Sequence, residues 1–383
     1  MGKCTGCPKN NSKKNSKKCS CSKTDVEPFV PPQITQAQAI ERMASLDLNN
    51  KCTPDDCKIT RKVFPGNVAN GNIPIAYIEA GEKYKNSNPT IILISGNILV
   101  KETWVPVMRI LCENKFHVIA YDHRGWGSSG KPELIAPNYS LRVLAIDLRE
   151  LIAFTRVNNP ILWGFSLATR IMLEYLRQSN TGRFAPSKLV FQNGTPSGNT
   201  GEFVFNYSPT QPPNLGQILV TQGQVAFLQA ISDLVLTDVC CPEPINRLRE
   251  FVFFSGMTSA GELQFVFANN SLRFNYADPL FLAKIKQPTL MITGNLDRLS
   301  NPRASFYMAS YLGLNLNSSG QLDPTVPQQP ATAEVVEIRG SNHVTHMTHI
   351  CVMVERSLPF LLNTVDPCTV AVLKGDDIKV IKA

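Results

Sequence analysis

Residues 162–170, LWGFSLATR, read as the end of an apolar run, a small residue, a serine and then the start of a helical pattern. A strand that turns directly into a helix lifts the side chain at the turn clear of the sheet, and here that side chain is the hydroxyl of Ser166. The small residues Gly164 and Ala168 let the backbone turn that tightly. The amide of Leu167 then falls at a helix N-terminus, where an N–H without an intrahelical acceptor can stabilise an oxyanion. The competing reading is a serine that merely caps a helix.

Working outward, TIILISG, HVIAYDHRG, PILWGFS and KLVFQNG are four short β-branched or aromatic runs, each ending in glycine or a turn residue, with helical stretches between them. Such runs are buried parallel strands. ITRKVF and IPIAYIEAGE precede them as an antiparallel pair, and PTLMITG and EVVEIRG follow after a long interval. The expected fold class is therefore α/β, a mostly parallel eight-stranded sheet with a helical cap insertion. The core takes residues 58–196 and 286–365, and the cap 197–285. A connector over 26–57, with a short helical pattern around Ala37 to Leu48, is expected to pack loosely, and 366–383 form a C-terminal tail. The cap carries a helical pattern from Leu215 to Val239 and is rich in phenylalanine: Phe251, Phe253, Phe254, Phe265 and Phe267. It should lie over the C-terminal edge of the sheet, where open α/β sheets bind ligands.

Two further residues follow strand ends. Asp297 lies in PTLMITGNLDRLSNP and His343 in EVVEIRGSNHVTHMTH. A loop aspartate is commonly a turn former or cap. His346 and His349 repeat at three-residue spacing after His343, which admits a metal site, but no H-E-x-x-H pattern is present; packing or solvent exposure on the last helix is the preferred reading, and the metal assignment is none.

The segment G-F-S-L-A resembles the nucleophile elbow of the α/β-hydrolase superfamily, with Ala168 in place of the second glycine. The chain order serine, aspartate, histidine, each at a strand end, extends the resemblance. It implies a catalytic triad of Ser166 as nucleophile, His343 as general base and Asp297 as the residue orienting the imidazole. VIAYDHRGWGSSGKP is similar to the family's D-x-R-G-x-G-x-S loop, with Asp122, Arg124, Gly125, Gly127 and Ser129 in the matching places. A structural role is expected there, with Asp122 and Arg124 paired to each other. In ISGN, Ser95 stands where the family usually has histidine. Gly96 then permits close approach, and the Asn97 N–H is the expected second oxyanion donor beside Leu167, with Ile98 the alternative. The resemblance covers about Ile73 to Leu362 and implies no bound cofactor. A serine at the elbow argues against the dehalogenases and epoxide hydrolases, which use aspartate.

Composition is that of a packed body, 43% apolar and 18% charged over 383 residues, with no run of eighteen apolar residues. The formal charge of +8 is concentrated in the first 24 residues, which hold seven lysines and no acid. A nearly neutral remainder argues against nucleic acid as partner. The opening segment, 1–25, has almost nothing apolar to bury and reads as a disordered, basic, Cys-rich tail. Gly2, Cys4 and Cys7 ahead of the lysines resemble a dual acylation signal that would bring the chain to a membrane surface, although Gly6 departs from the usual Ser or Thr. An unmodified tail, or a thiolate cluster of Cys4, Cys7, Cys19 and Cys21, are the alternatives. Four of eleven cysteines lie in this tail with no apolar leader before them, so a reducing, cytoplasmic setting is expected, and Cys52 with Cys57, or Cys240 with Cys241, would be crosslinked only in an oxidising one. The expected activity is hydrolysis of a small-molecule carboxylic ester, lipid-like if the cap phenylalanines meet substrate. The alternatives are a non-catalytic binding protein on the same fold, a thioesterase, a carbon–carbon hydrolase or a peroxidase-like enzyme.

Overall fold

The computed structural model describes residues 29–51, 53–198, 214–236, 245–264, 266, 275–312, 333–363 and 378–382. The tail with Gly2, Cys4 and Cys7, and also Cys52, Cys240, Cys241, Phe265 and Phe267, lie outside them.

Nine strands make one sheet: β1 Thr60–Phe64, β2 Ile75–Ala80, β3 Ile91–Ile94, β4 Val118–Tyr121, β5 Ile161–Phe165, β6 Lys188–Gln192, β7 Thr289–Gly294, β8 Ala333–Ile338 and β9 Ile378–Lys382. Their order is β1-β2-β4-β3-β5-β6-β7-β8-β9. The middle, β4 through β8, is parallel; β1 and β2 form the antiparallel lead, and β9 runs antiparallel on β8. The eight expected strands are all present, and the ninth corrects the count: it lies in the stretch read as a C-terminal tail, where IKVIK supplies an alternating pattern.

The parallel strands are apolar on both faces because both are covered. Along β3, Ile91 and Leu93 face one core while Ile92 and Ile94 face the other, the two-residue period of a strand. Helices α1 (Gln36–Ala44) and α2 (Val105–Glu113) belong to the first face, α3 (Leu141–Phe154) and α4 (Ala168–Ser179) to the second. Between β6 and β7 the chain builds the cap from α5 (Leu215–Leu236) and α6 (Ile245–Met257); α7 (Arg303–Tyr311) and α8 (Ile350–Leu362) complete the core. The cap helices pack closely at Gly256, where any side chain would run into Leu228. Among the described residues α5 is also the one helix long and apolar enough to cross a membrane, which the count of consecutive apolar residues did not register; here its Phe227, Leu228 and Ile231 are buried in the fold.

The connector does not pack loosely. α1, capped by Thr35 and Gln38, buries Ala39 and Met43, and its Arg42 meets Glu250 of α6 at 2.5 Å while lying over the Phe254 ring. Cys57 is bonded to Cys112 of α2 rather than to Cys52, a partner 55 residues away that spacing could not select. Cys351 is also in a disulfide.

The expected Asp122–Arg124 pair is likewise corrected. Arg124 makes a two-pronged bond to Asp147 of α3, Nε to Oδ2 at 2.6 Å and Nη2 to Oδ1 at 2.5 Å. Asp122 instead accepts from Lys101 Nζ at 2.6 Å, from the Lys101 amide at 2.8 Å and from the Ser128 amide at 2.9 Å. Each charge is almost fully buried, so each needs a dedicated partner, and neighbours along a turn cannot face each other squarely enough to serve.

Candidate active site

Ser166 follows β5 with φ of +56°, a left-handed backbone that a residue with a side chain adopts only under constraint. The constraints are local. The Ser166 amide donates to Gln192 O at 2.8 Å, and α4 begins two residues later. Gly164 has no room for a Cβ, which would come within 2.3 Å of Met172 Sδ and 3.0 Å of the Ala168 methyl. The turn therefore accepts alanine at 168 because its methyl just clears a glycine at 164.

Ser166 Oγ lies 2.9 Å from His343 Nε2, and His343 Nδ1 lies 2.8 Å from Asp297 Oδ2 and 3.0 Å from Oδ1. His343 and Asp297 are buried, while Ser166 is half-buried and faces a cleft. The loops after β7 and β8 are brought together by Gly294, which sits against the Ser341 and Asn342 carbonyls, and by the Leu296 amide donating to Ser341 O at 2.9 Å. Asp297 is oriented by the amides of Leu299 and Ser300 on Oδ1, at 2.9 and 2.8 Å, and by Asn193 Nδ2 on Oδ2 at 3.0 Å. Asn193 and Asn342, whose Oδ1 accepts from the amides of both His343 and Arg298, escaped the sequence reading; an asparagine in a loop carries no signal of what it will bond.

The segment from Ser95 to Val100 arches over the serine as a strap. Gly96 lies against the elbow, where a Cβ would meet the Phe165 ring at 2.8 Å and Ser166 Cβ at 3.0 Å. His123 Nε2 donates to Ser95 O at 2.8 Å, with the ring held neutral because burial pushes its pKa down. Of the two candidate strap donors, the Ile98 amide is already taken by Asn97 Oδ1 at 2.9 Å. The amides of Asn97 and Leu167 have no such acceptor among the described residues.

The cleft above Ser166 measures about 370 Å³ counted to its open mouth. Its walls are largely apolar, with Phe165 beside the serine, Ile231 and Val235 from α5, Val252 from α6, and Leu299 and Val344 from the core. None of the described cap phenylalanines reaches it: Phe253 packs edge-on against Phe29, and Phe254 lies under Arg42. Phe265 and Phe267, the other two phenylalanines expected to meet substrate, lie outside the described residues.

The sequence agrees with this arrangement at family level, since a family model described as the alpha/beta hydrolase fold matches residues 89–203, from the strap through the elbow and past β6. The chain has the α/β-hydrolase fold. The chain is 25% identical over 312 residues to a protein named putative non-heme chloroperoxidase from Synechocystis sp., the match covering 79% of this chain and 98% of that one. It is 28% identical over 116 residues to lysophosphatidylserine lipase ABHD12 of Xenopus tropicalis, a stretch that spans 29% of either chain. Among solved structures, an esterase from Exiguobacterium antarcticum superposes with a TM-score of 0.62 at 16% identity, over 79% of this chain and 99% of that one, a likeness of fold.

The two histidines that follow at three-residue spacing, His346 and His349, do not join His343 at the cleft. His346, fully buried in the turn Thr345–Thr348, stacks on Trp104 at 4.4 Å, contacts the Phe165 ring and accepts from Gln192 Nε2 through Nδ1 at 3.0 Å. Burial, and secondarily the neighbouring His343, push its pKa down to about 3, so it stays neutral. His349 is half-buried and bonded to the Thr348 hydroxyl at 2.9 Å.

Proposed function

We propose that the chain is a serine hydrolase of small carboxylic esters with an apolar acyl or alcohol part, acting through an acyl-enzyme. The observation that carries the reading is the unbroken line from Ser166 Oγ through the His343 ring to Asp297, opening on a largely apolar cleft. In this reading His343 Nε2 takes the Ser166 proton as Oγ attacks the ester carbonyl, and Asp297 fixes the Nδ1–H tautomer and stabilises the imidazolium. The oxyanion is received by the Leu167 and Asn97 amides. His343 then protonates the departing alcohol, and water, activated by the same ring, releases the acid. Largely apolar walls favour an apolar group over a charged one.

Labelling by a fluorophosphonate probe tests the reading: the wild type is expected to be labelled at Ser166, and Ser166→Ala to take no label. An unlabelled wild type would favour a non-catalytic binding protein. A second reading has its own support in the likeness to a protein named as a chloroperoxidase along 98% of that protein's length. Hydrogen peroxide in place of water would attack the same acyl-enzyme and release a peracid, with the same triad and no cofactor. Peracid formed from acetate and peroxide, absent in Ser166→Ala, would support it. Acylation at Gly2, Cys4 and Cys7, with attachment to a membrane surface, belongs to the same proposal and rests on the tail sequence; mass spectrometry of the N-terminal peptide from a eukaryotic host tests it. The cytoplasmic assignment is weakened by the Cys57–Cys112 bond.

A further inference from the structure

The strap contains a conformation that its own sequence does not favour. Ile98 has φ of +60°, where a β-branched side chain crowds the backbone at a cost of about 1–3 kcal/mol. A residue persists there only when its surroundings hold it. On the elbow side the strap is held at Gly96 and by the bond from His123 to Ser95 O. Beyond Asn97 the core holds only the end of the strap, at Lys101 through Asp122, and the stretch between is held by the cap. Ser255, fully buried in α6, donates its hydroxyl to Ile98 O at 2.9 Å and accepts from the Val100 amide at 2.9 Å. One hydroxyl thus clamps the strap on both sides of Leu99, from a helix separated from it by more than 150 residues of chain.

We propose that Ser255 is a positioning residue for the reaction, holding the strap so that the Asn97 amide faces the oxyanion above Ser166. This rests on the proposed hydrolase reading and deepens it. The consequence is that the cap does more than wall the cleft: with α6 seated, Ile98 stays in its strained conformation and both oxyanion donors are in place; with α6 displaced, the strap relaxes and one donor is lost. Loss of one such donor lowers turnover strongly because it acts on the transition state and little on the bound ester.

The test uses the full chain and p-nitrophenyl acetate. Ser255→Ala is expected to lower kcat about 10- to 100-fold with KM within about twofold. Inhibition by a trifluoromethyl ketone, whose serine adduct carries an oxyanion, should weaken by the same factor. In the Ile98→Gly background, where the backbone adopts that φ without strain, the loss caused by Ser255→Ala should shrink. If Ser255→Ala does not fold, Ser255→Cys, which keeps the shape but bonds weakly, takes its place with the same expected split between kcat and KM. A labelled wild type whose Ser255 variants turn over like it, or lose equally in both backgrounds, overturns the clamp; a wild type that takes no label overturns the hydrolase reading beneath it.

Discussion

At the scale of the residue, Ser166 combines two demands that oppose each other: a side chain that can react, and a backbone angle that suits glycine. Replacing it separates them. Ser166→Gly is expected to be more stable than Ser166→Ala by about 1 kcal/mol, raising the thermal midpoint by about 2 °C, the reverse of the usual order for these two residues. Calorimetry of the two variants checks this. The neighbouring histidines divide just as sharply. His343→Ala should abolish labelling of the serine, whereas His346→Phe, which preserves the stack on Trp104, should retain it. Equal loss in both variants would mean that the buried ring takes part in the chemistry.

At the scale of the element, the loop after β4 is fastened by two buried charge pairs that point away from each other, Arg124 to α3 and Asp122 to Lys101 at the end of the strap. Asp147→Asn leaves Arg124 buried without a counter-charge and is expected to cost about 3–5 kcal/mol of stability in urea unfolding. Because Arg124 does not reach the cleft, turnover of the folded fraction should stay within about twofold of wild type. These pairings illustrate what sequence could and could not disclose. The D-x-R-G-x-G-x-S pattern marked a loop with a structural task, but which charge meets which was decided by α3 and the strap, elements distant in the chain.

For the molecule as a whole, two buried groups make stability fall on acidification. His346 has a folded pKa pushed down from 6.5 to about 3, so as pH drops across that range the unfolded chain takes up a proton that the folded one refuses, and the fold weakens. Glu79, against the opposing effect of burial, is held at about 2 by His117 and Lys62, from an ordinary 4.5; its contribution is present above 4.5 and lost as pH falls toward 2. The urea midpoint should therefore decline from pH 7 to pH 3, and His346→Phe should flatten the upper part of the decline and Glu79→Gln the lower. At this scale the sequence was most legible. Parallel strands covered on both faces have to read as apolar runs, and Ser166, Asp297 and His343 were visible because each follows such a run. What escaped was set by convergence in space: Asn193 beside Asp297, the Ser255 clamp and the ninth strand beyond the last helix. The role of the cap phenylalanines was not legible, because phenylalanine is as useful for joining α6 to the connector, as Phe253 and Phe254 do, as for receiving a substrate.

The bond between Cys57 and Cys112 ties the chain's leading segment to α2, and through α1 that segment bears on the same cap helix that grips the strap. A cut anywhere in the 55-residue span it closes would leave two fragments that still migrate as one until a reductant is added. Folding such a chain also calls for a place where thiols are oxidised. Protein produced in a thiol-rich host would lack this stitch, and preparations from different hosts would then differ in heat tolerance while sharing every residue.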